Sequence, residues 1–514
     1  MDEPGTPLPT AKIVACPLDE VADNGGDEAD ASHSPMNDFS CPFRRAWAAL
    51  VPVVVMAMFL ASGAPRVRAS PPSASDWPRF RGPNGSGVSK ARNLPLVVGE
   101  ETNMAWRVAV PPGSSSPIVA GDGVFLTAFE GEHRWTLCFD LQTGVQRWRR
   151  SVESVRFERK TKPNDPASST PCTDGTHVYV LFSGFGLVAY SLAGDEQWRR
   201  PLGPFNPPHG MASSPILADG NVIILADQVT HSHLAAFDAV SGREKWRVPR
   251  GDFVGGYATP ILSGGEVVVS GPVELIGYAT DSGARRWSLP RMGVMPVGSP
   301  VADGGLIFVY NDAVPPFESL AREMRGDRNG DGKLEPDEFP DPSFKEAVLA
   351  IDRAYGNGDG AVDQKEWDSA LRLMNTMNAF VAARRKGNKV SEVWRVTKLL
   401  ADAASPLLYQ DVLYLVRNGG LLSSVDPTNG RILRQERVPG FEGQIFASPV
   451  AADGKVYLTS AAGKIAVIAA GREWTTLQVN SLPEGCYATP ALAGDTVLVR
   501  SERSLWAFRK RPKH

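Results

Sequence analysis

The sequence predicts an all-β chain: an eight-bladed β-propeller of four-stranded blades, its ring closed by an N-terminal strand in the last blade. Three observations carry that prediction. A Ser-Pro or Thr-Pro dipeptide recurs at Ser116, Thr170, Ser214, Thr259, Ser299, Ser405, Ser448 and Thr489, with successive prolines 54, 44, 45, 40, 106, 43 and 41 residues apart. Each copy opens a short apolar run, a turn and a second apolar run, the turn holding glycine in every copy but that of Ser405, as in Ser214 to Leu225 around Asp219-Gly220. A repeat near forty residues made of short strands is the signature of one blade per repeat. Third, the last repeat, Thr489 to Lys510, holds only three strand-like runs, and the missing outer strand stands at the other end in Asn103 to Val110. Pairing the two ends removes an open sheet edge. Seven blades with one irregular segment is the alternative.

Taken in order, residues 1–40 are rich in Pro, Gly, Asp and Glu without apolar periodicity, as expected of a disordered leader or a start assigned too far upstream, with Met36 as the alternative start. Residues 41–69 read as a signal peptide or N-terminal membrane anchor. Arg44 and Arg45 precede the apolar stretch Ala46 to Ala64, and Val67-Arg68-Ala69 offers small residues for cleavage. Export to the periplasm or cell surface is therefore expected, with attachment to the inner membrane if the segment stays. Residues 76–314 and 379–510 form the propeller, interrupted in blade five by residues 315–378.

Residues 70–514 hold 48 acidic and 49 basic residues, a balance that excludes a nucleic-acid partner. Their cysteines, Cys138, Cys172 and Cys486, are widely spaced and odd in number, so they build neither a disulfide framework nor a CxxC metal site. In each repeat a glycine turn is followed by a bulky residue that opens the outer strand and wedges against the next blade. These are Trp148, Trp198, Trp246, Trp287, Trp394 and Trp474, with Leu433 in blade six.

The segments Asp140 to Trp148 (DLQTGVQRW) and Asp238 to Trp246 (DAVSGREKW) resemble the tryptophan-docking repeats of PQQ-type propellers. Those occur in pyrroloquinoline-quinone alcohol dehydrogenases and in the lipoprotein of the outer-membrane barrel assembly machinery. The opening Asp76 to Val88 (DWPRFRGPNGSGV) resembles exported bacterial PQQ-like repeat proteins, and similarity covers residues 76 to 510 apart from the insertion. Quinoprotein dehydrogenases of this shape seat the quinone against a Trp and a disulfide of adjacent cysteines, beside calcium and a catalytic Asp. This chain has no adjacent cysteine pair and no CxxCH for covalent haem, so the residues speak against the quinone. The shared repeat describes a fold, and fold does not imply function.

The insertion carries the sharpest chemical signal. Calcium takes six to eight oxygens, and an EF-hand loop supplies them from positions 1, 3, 5, 7, 9 and 12. Asp327, Asn329, Asp331, Lys333 (through its carbonyl), Glu335 and Glu338 occupy those positions, with Gly332 at the bend and Leu334 free to pair with a partner loop. A second, weaker loop aligned on Gly360 offers Asn357, Asp359, Ala361, Asp363 and Glu366, with Val362 opposite Leu334. Tyr355 stands where the first Asp belongs, and Asp352 replaces it only in a rearranged loop. Phe317 to Met324, Phe344 to Ile351 and Trp367 to Phe380 have the apolar spacing of the flanking helices.

Other candidates are His209, ahead of the third blade, and Asp227, Gln228, His231 and His233 after its second strand. Strand order brings both segments toward one end of a blade, where a metal or sugar site or ordinary turn-capping polar groups are the alternatives. Arg156, Arg159, Lys160 and Lys162 make a basic run before blade two. The expected function is a calcium-binding scaffold that takes a protein or glycan partner on a propeller face. The alternative is a quinoprotein-type oxidoreductase or carbohydrate-processing enzyme working at the channel mouth.

Overall fold

Eight antiparallel four-stranded sheets follow one another along the chain in the computed structural model. The structure describes residues 77–511 apart from 155–160, 204, 208, 229–230, 251–254, 295, 312–315, 324, 340–347, 350, 354–355, 375–378 and 399–400. The leader, the apolar segment, Arg156, Arg159, Lys160 and Tyr355 lie outside the described residues. No described helix is long and apolar enough to cross a membrane.

Blade one shows the plan: strands Ile118–Ala120, Gly123–Glu130, His133–Asp140 and Gln146–Glu153, each paired with the next. The second and third strands of a blade are covered on both faces by neighbouring blades, so they are apolar along their length. Asn221–Ala226 is buried at every position. Outer strands have one face in solvent and alternate, as in Glu244–Pro249. The ring closes as the sequence predicts. Met104–Ala109 pairs antiparallel with Ser504–Phe508, so the eighth blade joins both chain ends.

Adjacent blades are keyed by an indole seated on a glycine. Asp140 accepts the N–H groups of Gln142 and Thr143, turning the chain so that Gly144 adopts φ 73°. The Trp106 ring of the preceding blade lies on that glycine, and its Nε1 donates to the Leu141 carbonyl at 3.0 Å. The arrangement repeats for Trp148 on Gly194, Trp198 on Gly242, Trp246 on Gly283 and Trp394 on Gly430. Only glycine satisfies both demands, a left-handed backbone and no Cβ under the ring. A Cβ on Gly242 would stand 2.6 Å from the Trp198 ring, so Gly242→Ala is expected to cost at least about 1 kcal/mol, read as a lower midpoint in chemical denaturation.

Three blades depart from the expected key. In blade four Trp287 lies over Gly277 of its own sheet and donates Nε1 to Glu266 of that sheet at 2.6 Å. The register puts Arg434 at the docking position of blade six, paired with Ser424, and makes Leu433 the bulge beside it. In blade seven the position falls to Gln478, paired with Val467, and Trp474 precedes the strand. The Arg434 guanidinium lies 4.8 Å from the centre of the Trp474 ring, so a cation–π contact from blade six to blade seven replaces indole on glycine.

The segment from Trp77 to Leu94 crosses the axis and caps the exposed inner edges of the blades. Trp77 bridges Val119 in blade one, and the Pro78 carbonyl accepts from Thr173 in blade two. Asn84 exchanges two hydrogen bonds with Leu262 in blade four. Arg81 donates to the Pro406 carbonyl ahead of blade six, Gly87 and Ser89 pair with Ala451 in blade seven, and Arg92 donates to Gly494 at blade eight. This plug ties six blades together and pairs groups that edge strands would otherwise leave open.

The insertion leaves blade five between its second strand, Leu306–Asn311, and its third, Ala379–Lys386, and has a core of its own around Phe317, Leu334, Val362 and Trp367. A two-stranded bridge pairs Lys333 with Asp363 and Leu334 with Val362. Helix Gln364–Met374 follows, its start capped by Asp363, which accepts the Glu366 N–H at 2.8 Å. Phe380, expected in the last flanking helix, belongs instead to the third strand of blade five, because its pairing with Tyr310 and Val396 buries it completely.

Candidate functional site

The eight Ser/Thr residues that mark the blades meet at the axis. The N–H of Ser116 donates to Thr170 Oγ1 at 3.0 Å, the N–H of Thr170 to Ser214 Oγ at 3.0 Å, and so on around the ring until the N–H of Thr489 returns to Ser116 Oγ at 3.0 Å. Every link between successive blades is present. The proline after each hydroxyl residue has no N–H of its own to compete for these acceptors.

These hydroxyls line a cavity of about 330 Å³ at the mouth of the channel. Phe80 of the plug lines it too, so the cavity is a blind cup and not a passage. Around it stand Lys162, Asn164, His209, Tyr257, Asp402, Phe446 and Tyr487. His209 lies against Tyr257 with ring centroids 5.7 Å apart, and Phe446 against Tyr487 at 5.8 Å. Burial raises both phenol pKa values, so Tyr257 and Tyr487 are neutral donors at physiological pH. Asp165 stands behind Ser114, accepting its hydroxyl at 2.6 Å, and burial raises its carboxyl pKa.

The histidine cluster expected from the sequence is divided. His209 goes to the cup. Asp227 is taken up by Arg250, with Nε to Oδ1 at 2.6 Å and Nη2 to Oδ2 at 3.0 Å, both side chains inaccessible to solvent. Gln228 accepts the Asn206 N–H at 3.0 Å, while His233 sits 2.9 Å from the His231 carbonyl and stacks on Phe205. Among the described residues no group of three His, Cys, Asp or Glu side chains is assembled for a metal, here or in the insertion.

In the insertion the acidic side chains hold their own loops. Asp327 accepts Gly330 N–H at 2.6 Å and Gly332 N–H at 3.0 Å, and Glu338 accepts from Arg328, Asn329 and Glu335. The second loop repeats the pattern with Asp352 in the first place. Its two oxygens accept from Gly358 at 2.8 Å and Gly360 at 2.9 Å, while Glu366 accepts from Asn357 and Asp363. Asp359, one of the expected second-loop residues, pairs across the bridge with Lys333 at 2.8 Å. Ala361 donates its N–H to Asp359 at 3.0 Å, as Lys333 does to Asp331 at 2.9 Å in the first loop. Asn329 bonds Glu335 at 3.1 Å.

Sequence reasoning missed the cup. Its ring hydroxyls were legible only as blade markers; the signal that could have found it is the aromatic two residues before a marker, in Tyr257-Ala-Thr-Pro, Phe446-Ala-Ser-Pro and Tyr487-Ala-Thr-Pro, whereas Phe80 comes from the plug, far along the chain.

The fold and the indole keys define a PQQ-type, tryptophan-docked propeller. Residues 159–313 and 381–513, just over half of the chain, match the family described as outer membrane protein assembly factor BamB, and the chain belongs to that family. No curated protein matches it significantly. Among solved structures it is similar to BamB from Moraxella catarrhalis, at 12% identity and TM-score 0.51 over 80% of this chain and 99% of that one. A europium-containing methanol dehydrogenase is similar at 9% identity and TM-score 0.57, over 85% and 98%. Quinohemoprotein alcohol dehydrogenase from Comamonas testosteroni is similar at 12% and 0.51, over 85% and 81%. At these identities the likeness is one of fold.

Proposed function

We propose that this chain is an exported, calcium-binding propeller that serves as a non-catalytic binding or assembly scaffold, with a protein or glycan partner on a propeller face. The observation that carries the proposal is the plugged channel. The mouth ends blindly on Phe80, under a ring of hydroxyls that are engaged in joining the blades. A family described by an assembly factor supports a protein partner. Export rests on Arg44, Arg45 and the apolar run that follows.

The quinone has no part in this proposal, because the residues at the mouth do not match the seat described for quinoprotein dehydrogenases. Cys138, Cys172 and Cys486 are buried and unpaired, and neither a cysteine nor a tryptophan lines the cup. Burial pushes the Cys138 and Cys486 thiols up to about 12.

Calcium is assigned to the EF-hand-like pair in the insertion. In the first loop Asp327, Asn329, Asp331, the Lys333 carbonyl, Glu335 and Glu338 are the donors. In the second Asp352 supplies the carboxylate that position 355 lacks, in a loop three residues longer, with Asn357, Asp359, the Ala361 carbonyl, Asp363 and Glu366. Support for that register is the equivalence of Asp352 and Asp327 on matching glycine N–H groups, and the Leu334–Val362 bridge between the loops. The donor set is all oxygen and suits a hard cation.

Calorimetric titration with calcium is expected to give two sites per chain. Asp327→Ala with Glu338→Ala, and separately Asp352→Asn, are each expected to remove one, and chelation is expected to expose residues 315–380 to protease. No calcium uptake by the intact protein would discard the metal assignment. Tight binding of pyrroloquinoline quinone in a parallel titration would discard the non-catalytic one.

A further inference from the structure

We propose that the cup at the channel mouth is an oxyanion site, built to hold a carboxylate, phosphate or sulfate group of a small ligand above Phe80. Three observations converge on it. Each ring hydroxyl accepts one backbone N–H, and among the described residues none of the eight donates its own proton to a protein acceptor. These residues are only 2–4% exposed, yet all of them line the cup. The wall therefore offers eight O–H donors, and a buried donor without an acceptor is costly.

Two buried guanidinium groups stand beside the ring without lining the cup itself. Arg79 and Arg81 flank Phe80, and they reach the carbonyls of Pro260 and Pro406, the residues that follow ring members Thr259 and Ser405. Neither forms an ion pair among the described residues, and no carboxylate bears on their charge: Cys172 lies near Arg79, and Tyr310 and Arg79 itself lie near Arg81. Burial pulls the two groups down to about 10 and about 9, so both remain cationic. Arg79 Nε and Arg81 Nε and Nη1 have no hydrogen-bond partner. A pair of buried positive charges without a carboxylate favours an anion nearby.

Third, the rim holds Lys162 and Asp402, with Asp165 behind Ser114, so it offsets at most one of the two buried arginine charges and leaves the site positive. The faces of Phe80, Tyr257, Phe446 and Tyr487 leave room for an apolar ring beside the acidic group. Acidic saccharides and free inorganic oxyanions share this chemistry.

The test is calorimetric titration of the purified protein with inorganic sulfate, inorganic phosphate and glucuronate at constant ionic strength, with glucose as the uncharged control. Anion binding without glucose binding is expected, glucuronate alone marking an acidic saccharide and all three anions a general oxyanion site. Arg81→Gln is expected to weaken binding at least tenfold and Arg81→Lys distinctly less. Should Arg81→Gln fail to fold, Lys162→Glu on the exposed rim is expected to weaken the anions at least threefold. Glucose binding as tightly as glucuronate, no anion binding, or affinities indifferent to these substitutions would each overturn the site. The calcium titration is independent of this one, so the two assignments fail separately.

Discussion

Trp77→Ala is expected to destabilise the propeller by about 3–5 kcal/mol, the range for removing a fully buried indole from a core. Trp77 has no solvent exposure and joins the largest apolar cluster, with Val119, Val124, Leu94 and residues of blades seven and eight. Gly82, at φ 66°, folds back over the ring so closely that a Cβ there would lie 2.5 Å from it. The plug cannot slide into the cavity left by alanine, because Arg79 and Asn84 hold it to blade four and Ser89 to blade seven. The loss should appear as a drop of several degrees in the thermal midpoint and as new protease cuts before residue 95. A midpoint unchanged from the parent would mean that the segment only decorates a ring stable without it.

How far the architecture was legible follows from which residues have local reasons. Proline and glycine do, since one lacks an N–H and the other admits positive φ, so the Ser/Thr-Pro and glycine-turn signals place the blades along the chain. The tryptophan key was readable where it follows such a turn, at Trp148, Trp198 or Trp246. It failed at Trp287, which packs on Gly277 of its own sheet, and at Leu433 and Trp474, because the residues at the docking positions, Arg434 and Gln478, are fixed by the bulge in strand pairing and not by spacing from a glycine. The plug showed itself only as a resemblance. Its partners lie far along the chain, Arg81 to Pro406 spanning 325 residues, and no local pattern encodes such contacts. Likewise spacing offered His209 and Asp227 as one cluster, but His209 lines the cup and Arg250 claims Asp227 in a buried pair that spacing could not reveal.

Where the two ends of the chain meet, Glu484→Gln is expected to cost about 2–3 kcal/mol at neutral pH, the scale of charge-assisted hydrogen bonds lost from a buried carboxylate. Glu484 accepts the hydroxyls of Ser501 at 2.6 Å and Ser504 at 2.9 Å and the Arg503 N–H at 3.0 Å, and it pairs with Arg107 at 2.6 Å. Arg107 belongs to the N-terminal strand and Ser504 to the C-terminal one, so this carboxylate clasps the seam of the ring. Burial works to raise its pKa, but the hydrogen bonds together outweigh burial and hold it below the ordinary glutamate value of 4.5. A carboxyl group depressed in the folded state gives its full stability above the unfolded value and loses it as the pH falls through the lower, folded one. The difference between the parent and Glu484→Gln should therefore be flat from pH 8 to about 6 and shrink steadily below about 4.5. Denaturant midpoints measured across that range decide the matter: a difference that stays constant down to acid pH would assign the loss to packing and leave the clasp without an electrostatic part. Arg107 is more than one-third exposed, so its ion pair is screened and contributes the smaller share. The hydroxyls of Ser501 and Ser504 carry the larger one, which added salt should leave nearly intact.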